Sequence, residues 1–409
     1  MSKKFESVAT LPSNAKWAEL TKREGDLYRR SDDVRNEFSR DYSRILHSLA
    51  YRRLKHKTQV FYNIGNDHIC TRMEHVAHVE SVSNTIADAL GLNTDLTRAI
   101  AIGHDLGHAP FGHKGEKIIS ALTKKYLGKD FWHEQNGLHF VDNIELLEDK
   151  QACHKNLMLT YAVRDGIISH CGEIDKNNLF PREDLIDLGS FDKPGEKEPA
   201  TWEGCVVKLS DKIAYVGRDI EDAKRLGFLS KNDMKTLESF AKSFDSEAIN
   251  TTVIMHSLVS DVCKNSAPEK GIGMSREYAE KLKEIKEFNY KVIYDNERLK
   301  YFEEYAKLII NSIFSQLKKA YNKNQTMQEL LKMKKFYPML AGDFYNWLIK
   351  YVDSAIVPSD DKPRTNSYNN KKIYGTIDDE KTFSQAIIDY ISGMTDGYAI
   401  KIYNELITF

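Results

Sequence analysis

Apolar residues recur at the 3.6-residue spacing of a helix along most of the chain, and no stretch reads as convincingly β-rich or repeats another. From Tyr42, Ile45, Leu46, Leu49 and Ala50 make one face, followed by the basic KHK. Gln59-Val60-Phe61 leads into NIGNDH, whose Gly and Asn signal a turn. His75 opens a second pattern through Val79, Val82, Ile86 and Leu90, and an apolar run from Ala99 to Leu106 carries a third. Pro110 and the glycines of GHAPFGH interrupt the helical pattern there. A further segment starts near His133-Glu134-Gln135, within Lys129 to Val141. Leu185 to Trp202 is loop-like and precedes the run VVKLSDKIAYVGRDIEDA.

Residues 230 to 350 read as helical almost throughout, with a break at Asn265 to Met274 and a buried helix in LKYFEEYAKLIINSIFSQL. The breaker-rich PSDDKPRTNSYNNKKIYGTIDDE predicts a mobile loop. One last helix, QAIIDYISGMTDGYAIKIYNELI, closes the chain. The fold class expected is all-α. We divide it into an N-terminal extension (1–40) anchored by Trp17, Leu20 and Leu27, a core (41–230) and a helical C-terminal lobe (231–409). The lobe is expected to pack with the core and take part in oligomerisation. A chain of 409 residues exceeds the usual size of a single hydrophobic core, which agrees with an appended lobe.

Charge adds little: 59 basic and 60 acidic residues balance, so any attraction for phosphates must be local. The five cysteines (70, 153, 171, 205 and 263) form no CxxC pair and are odd in number, which fits a reducing compartment. MSKKFESVAT carries no signal-peptide pattern, and no apolar run is long enough to span a bilayer. A cytoplasmic protein without membrane association is expected.

Histidine changes the picture. Eight of the 13 lie between His68 and His139. Adjacent helices could bring His75 against His104-Asp105, giving two imidazoles and a carboxylate suited to a transition metal or Mn²⁺. Asp211 is the candidate for a further ligand. It shares one helix face with Tyr215 and Asp219, each four residues on. The alternative for that face is a solvated row of helical charge pairs. His78 falls about 60° short of one turn from His75, off the ligand-bearing line.

In this order, His75, His104-Asp105 and Asp211 resemble the H…HD…D metal signature of the HD-domain phosphohydrolases. DYSRILHSLAYRRLKHKTQVF, TRMEHVAHV, HDLGHAPFGHKGE, FWHEQ, SDKIAYVGRDIEDA and, near the C-terminus, DYISGMTDGYA resemble the dGTPase-like deoxynucleoside triphosphate triphosphohydrolases. The resemblance implies a divalent metal, Mn²⁺ or Mg²⁺ first, with Fe²⁺, Co²⁺, Ni²⁺ or Zn²⁺ as alternatives. It implies hydrolysis of a dNTP to deoxynucleoside and tripolyphosphate. His108 and His133 match catalytic histidines, and Glu116 matches the acid that pairs with one of them. Arg72, Lys212 and His113 match phosphate-gripping positions; for Arg72 and Lys212 the alternative is a surface charge.

Gln59 and Val60 match a pair lying against the deoxyribose, and Tyr215 and Asp219 match residues at the sugar and its 3′-hydroxyl. For these two the alternatives are ordinary helix packing and a solvated cap. Homo-oligomers, and single-stranded nucleic acid as a further partner, are also implied. Two departures stand out. The chain reads HVAHV where relatives read HSLEV, and Gly397 follows GMTD where relatives carry Arg. Competing readings are another HD phosphohydrolase, such as a 5′-nucleotidase or signalling-nucleotide hydrolase, and a non-enzymatic nucleotide or nucleic-acid binder.

Overall fold

A computed structural model describes residues 3–27, 31–62, 66–171, 177–248 and 252–408. The fold is all-α, as expected. Among the described residues the only sheet is one short antiparallel pair, Leu146–Glu148 with His154–Asn156. The NIGNDH turn lies partly outside the described residues. No helix of the described residues is long and apolar enough to cross a membrane.

The chain forms two compact units, and neither is a continuous stretch. The first comprises Met1–Leu46, Gln59–Asp105 and Leu159–Lys300; the second comprises His47–Thr58, Leu106–Met158 and Tyr301–Phe409.

The first unit is built on the Arg72–Leu90 helix, which packs on Thr94–Gly103 and on the long Trp202–Arg225 helix. Val82, Ile86 and Leu90 of the first and Val206, Leu209, Ile213 and Val216 of the last share one hydrophobic core. Thr94–Gly103 packs in turn on Tyr161–Ser169. Gly103 and Gly166 let these two approach closely. A Cβ on Gly166 would lie 2.6 Å from Ile100 side-chain atoms.

The N-terminal segment belongs to this unit. Phe5 is fully buried, edge-on to Trp202. The buried Glu203 carboxylate accepts from Thr10 N (2.9 Å) and Asn93 N (3.0 Å), tying that segment to the loop before Thr94. Of the expected break at 265–274, the structure shows a turn between the Thr252–Asn265 and Arg276–Asn289 helices.

In the second unit the Glu380–Ser392 helix packs on Gly112–Leu127. The single C-terminal helix expected from the sequence is two, Glu380–Ser392 and Asp396–Ile407. Met394 turns inward, buried, and Thr395 caps the second helix by accepting from Tyr398 N. The segment expected to be mobile is tied into the unit instead. His154 N donates to Ser367 O (2.7 Å) and Asp353 N to Gly375 O (2.9 Å), while buried Tyr374 donates its hydroxyl to Asp389. Sparse aromatic anchors outweigh the polar composition there.

Candidate functional site

The metal-type cluster is assembled wholly within the first unit. Glu74, in the first turn of the Arg72–Leu90 helix, accepts from Thr71 N (2.7 Å) and fixes where that helix starts. Arg72 and His75 therefore sit on its first turn. Asn93 caps Thr94–Gly103 by accepting from Asp95 N and Leu96 N. That helix ends at Gly103, so His104-Asp105 stands just beyond it rather than inside the expected run to Leu106.

His104 Nδ1 lies 2.6 Å from Ala101 O, a bond in which the ring nitrogen must donate. Its Nε2 then carries the lone pair, and that atom is buried with no hydrogen-bond partner. An imidazole oriented by a carbonyl at one nitrogen and open at the other is the arrangement of a metal ligand. Around it, His75 Nε2 is 3.1 Å from Asp211 Oδ1 and 3.9 Å from Asp105 Oδ2. His104 Nε2 is 3.5 Å from Asp105 Oδ1 and 3.9 Å from Asp211 Oδ1. His75, His104 and Asp211 offer ligand atoms within 4.8 Å of one another. His75, His104 and Asp211 thus converge, with an Asp105 oxygen within 3.9 Å of each of the two imidazoles, and this donor set fits a divalent cation.

Charge supports the fit. Burial would raise the Asp211 carboxyl, but its bond from His75 and the electrostatic influence of the surrounding imidazoles of His104, His75 and His170 hold it far below the usual carboxylate range. Burial opposes protonation of His75, yet Asp211 and Asp105 raise its pKa above the ordinary value. Both carboxylates draw positive charge to the same spot. His78 belongs to no such group among the described residues.

Arg72 is 1% exposed, so the surface-charge alternative fails. Its Nη1 donates to Asp105 Oδ2 at 2.8 Å, which orients that carboxylate. Its Nε and Nη2 are buried with no hydrogen-bond partner. Lys212 is buried as well. Asp219 is not a solvated cap: it is buried and accepts from Tyr294 OH, a contact with no signature in the sequence. Gln59 is buried, and Val60 and Tyr215 are half-buried against the core of this unit.

Sequence reasoning missed His170. Its Nδ1 lies 2.7 Å from Ile167 O, its ring 5.0 Å from that of His104, and its ligand atom within 4.8 Å of those of His104 and Asp105. The signal was present. YAVRDGIISH is an apolar helical run ending on a histidine bonded three residues back, as in AIAIGH.

The second unit holds the other histidines. His108 lies in the turn after Asp105, and the Gly112–Leu127 and His133–His139 helices supply Glu116 and His133. The rings of His108 and His133 stack at 3.7 Å with an 18° tilt. Glu116 makes its short contacts to His133, 3.2 Å from Nδ1 to either oxygen and 3.0 Å from the backbone N, with His108 Nδ1 at 3.7 Å. Burial would raise the Glu116 carboxyl; the charge of His133 and bonds from His113 and His133 overcome it and hold it well below the usual range. His113 is more exposed, at 3.6 Å from Glu116. Gly107 permits this packing, since a Cβ there would lie 2.1 Å from both His133 O and Gly137 N.

Comparison with known proteins gives the same frame. Residues 72–216 match the HD domain and residues 370–405 the phosphohydrolase-associated domain. The chain is 34% identical over 375 residues to a deoxyguanosinetriphosphate triphosphohydrolase-like protein of Caldanaerobacter subterraneus subsp. tengcongensis, covering 91% of this chain and 86% of the relative. Similarly named relatives from Clostridium tetani and Rickettsia felis are 32% and 31% identical, covering 98% and 94% of this chain and 94% and 95% of theirs. With an HD domain that contains the clustered imidazoles and carboxylates, and relatives matched over nearly its whole length, the chain belongs to the dGTPase-like family of HD-domain phosphohydrolases.

Proposed function

We propose that the protein is a metal-dependent dNTP triphosphohydrolase, cleaving a deoxynucleoside triphosphate to deoxynucleoside and tripolyphosphate. The observation that carries this reading is the cluster His75, His104, Asp105 and Asp211, with its open His104 Nε2, inside the HD domain. A divalent metal held there supplies Lewis-acid activation at phosphorus. Mn²⁺ or Mg²⁺ suits the mixed imidazole–carboxylate set.

The protein's own residues do the rest. Arg72 fixes Asp105 and offers its remaining N–H groups to phosphate oxygens. Lys212 and His113 add positive charge for the triphosphate. Gln59, Val60, Tyr215 and Asp219 bound the deoxyribose; Asp219, held by Tyr294, accepts from the 3′-hydroxyl. His108 is the proton donor in this reading. Stacked on His133, with Glu116 stabilising the imidazolium charge, it delivers the proton that the leaving 5′-oxygen needs.

The protein acts in the cytoplasm on free nucleotides as a homo-oligomer. Incubation with Mn²⁺ and each dNTP, with tripolyphosphate separated from pyrophosphate and phosphate, tests the reaction. Tripolyphosphate with deoxynucleoside is expected. Release of phosphate from a nucleoside monophosphate alone would assign the protein to another HD phosphohydrolase activity.

A further inference from the structure

The turn that carries His108 is held from three sides, all within the second unit. Asn136 Nδ2 donates to Gly107 O (2.7 Å). Lys57 Nζ donates to His108 O and also to Ser392 O (2.9 Å). Phe111 N donates to Asp396 Oδ1 (2.8 Å), and the other oxygen of that carboxylate accepts from Thr58 N (2.9 Å) and Thr58 Oγ1. Lys57 is 2% exposed and Asp396 4%.

A buried ammonium and a buried carboxylate are costly to place, and each here makes a bond to the backbone of this turn. That turn needs restraint. Phe111 and Gly112 adopt the left-handed conformation (φ 66° and 60°), unfavourable for phenylalanine, and a Cβ on Gly115 would meet Pro110 O at 1.8 Å. Two anchors, at His108 O and Phe111 N, lie directly before the strained Phe111-Gly112 pair and fix the backbone from which the His108 ring projects onto His133.

We infer that Lys57 and Asp396 are a positioning pair, reaching from the segment before Gln59 and from the C-terminal GMTD sequence to set the stacked His108–His133 arrangement. The inference rests on the catalytic reading of those histidines given above. Asp396 touches neither imidazole; it acts through the turn.

Asp396→Asn keeps the shape but turns one acceptor into a donor, so it faces either Phe111 N or Thr58 N with the wrong polarity. Lys57→Met keeps the stem and removes both carbonyl bonds. Thr58→Val, which removes only the hydroxyl, is the milder variant should either of these fail to fold. In the full chain with Mn²⁺, Asp396→Asn and Lys57→Met should lower kcat about 10- to 100-fold, the range for a misplaced catalytic group, with KM and metal content unchanged. Thr58→Val should follow in the same direction with a smaller loss.

Two readouts do not require turnover: the imidazole NMR resonances of His108 and His133, and hydrogen exchange at Phe111 N. Both should change in the same variants. Wild-type kcat in the folded variants, or a loss that tracks metal content, would overturn the pair. Should the wild-type protein not hydrolyse dNTPs, the catalytic reading fails by itself. The pair is then overturned only by unchanged imidazole resonances and unchanged exchange.

Discussion

Asp105 meets two demands: its Oδ2 accepts from the Arg72 guanidinium and lies 3.9 Å from His75 Nε2, while its Oδ1 faces His104 Nε2 at 3.5 Å. In Asp105→Ala we expect bound metal to fall to background by elemental analysis and hydrolysis with it. Full activity in a metal-depleted Asp105→Ala protein would remove it from the ligand set. Arg72 is the buried partner, and breaking a buried pair from one side costs about 3–5 kcal/mol because the remaining charge stays unpaired. Arg72→Met should show that loss by denaturant unfolding in chelator, and Arg72→Met/Asp105→Asn should recover much of it. Additive losses would show that the pair is not coupled.

Glu116 gives the pH dependence. Its folded pKa lies below the unfolded value of about 4.3, so its contribution is complete above that pH and disappears on acidification. Glu116→Gln should therefore flatten the decline in stability between about pH 5 and pH 3. Parallel wild-type and variant curves over that window would contradict it.

At the scale of elements, close approach decides what each glycine tolerates. Gly107→Ala drives a methyl into the backbone of His133 and Gly137, and a loss of more than about 3 kcal/mol is expected. Gly397, where relatives carry Arg, has nothing within 4 Å of a built Cβ; Gly397→Ala should be neutral or stabilising by up to about 1 kcal/mol. Thermal melts of both variants decide between steric cause and simple helix propensity.

The elements themselves were largely legible. His75 and the Asp211 face follow from spacing, because a 3.6-residue period records which side of a helix is buried. The break at Gly393–Thr395 was not, since Met394 and Ile391 keep the apolar pattern running through it. Nor was the anchoring of residues 358–380, where a few tyrosines act against a polar background.

For the whole molecule, metal binding should register as stability. A ligand at 100 times its Kd stabilises by about 2.7 kcal/mol, so Mn²⁺ should raise the melting temperature of the wild type and leave that of Asp105→Ala unmoved. Substrate choice is a whole-molecule property too. If Gln59, Val60 and Tyr215 close on the sugar, dNTPs should be hydrolysed far faster than NTPs, and equal rates on dGTP and GTP would sink that pocket. Periodicity cannot reveal how the chain is shared between its two compact units, because it records local burial and not which distant segments meet.

One of those distant meetings bears on how the protein is made. Asp396 and Thr58 are bonded across 338 residues. A nascent chain emerging from the ribosome exposes the complete HD domain long before the carboxylate that grips the Phe111 turn has been synthesised. Ribosome stalling or premature termination just short of Asp396 would then yield a chain with every proposed metal ligand and an unset His108. Synthesis as far as Asp396 is then what allows the turn before the Gly112–Leu127 helix to be held.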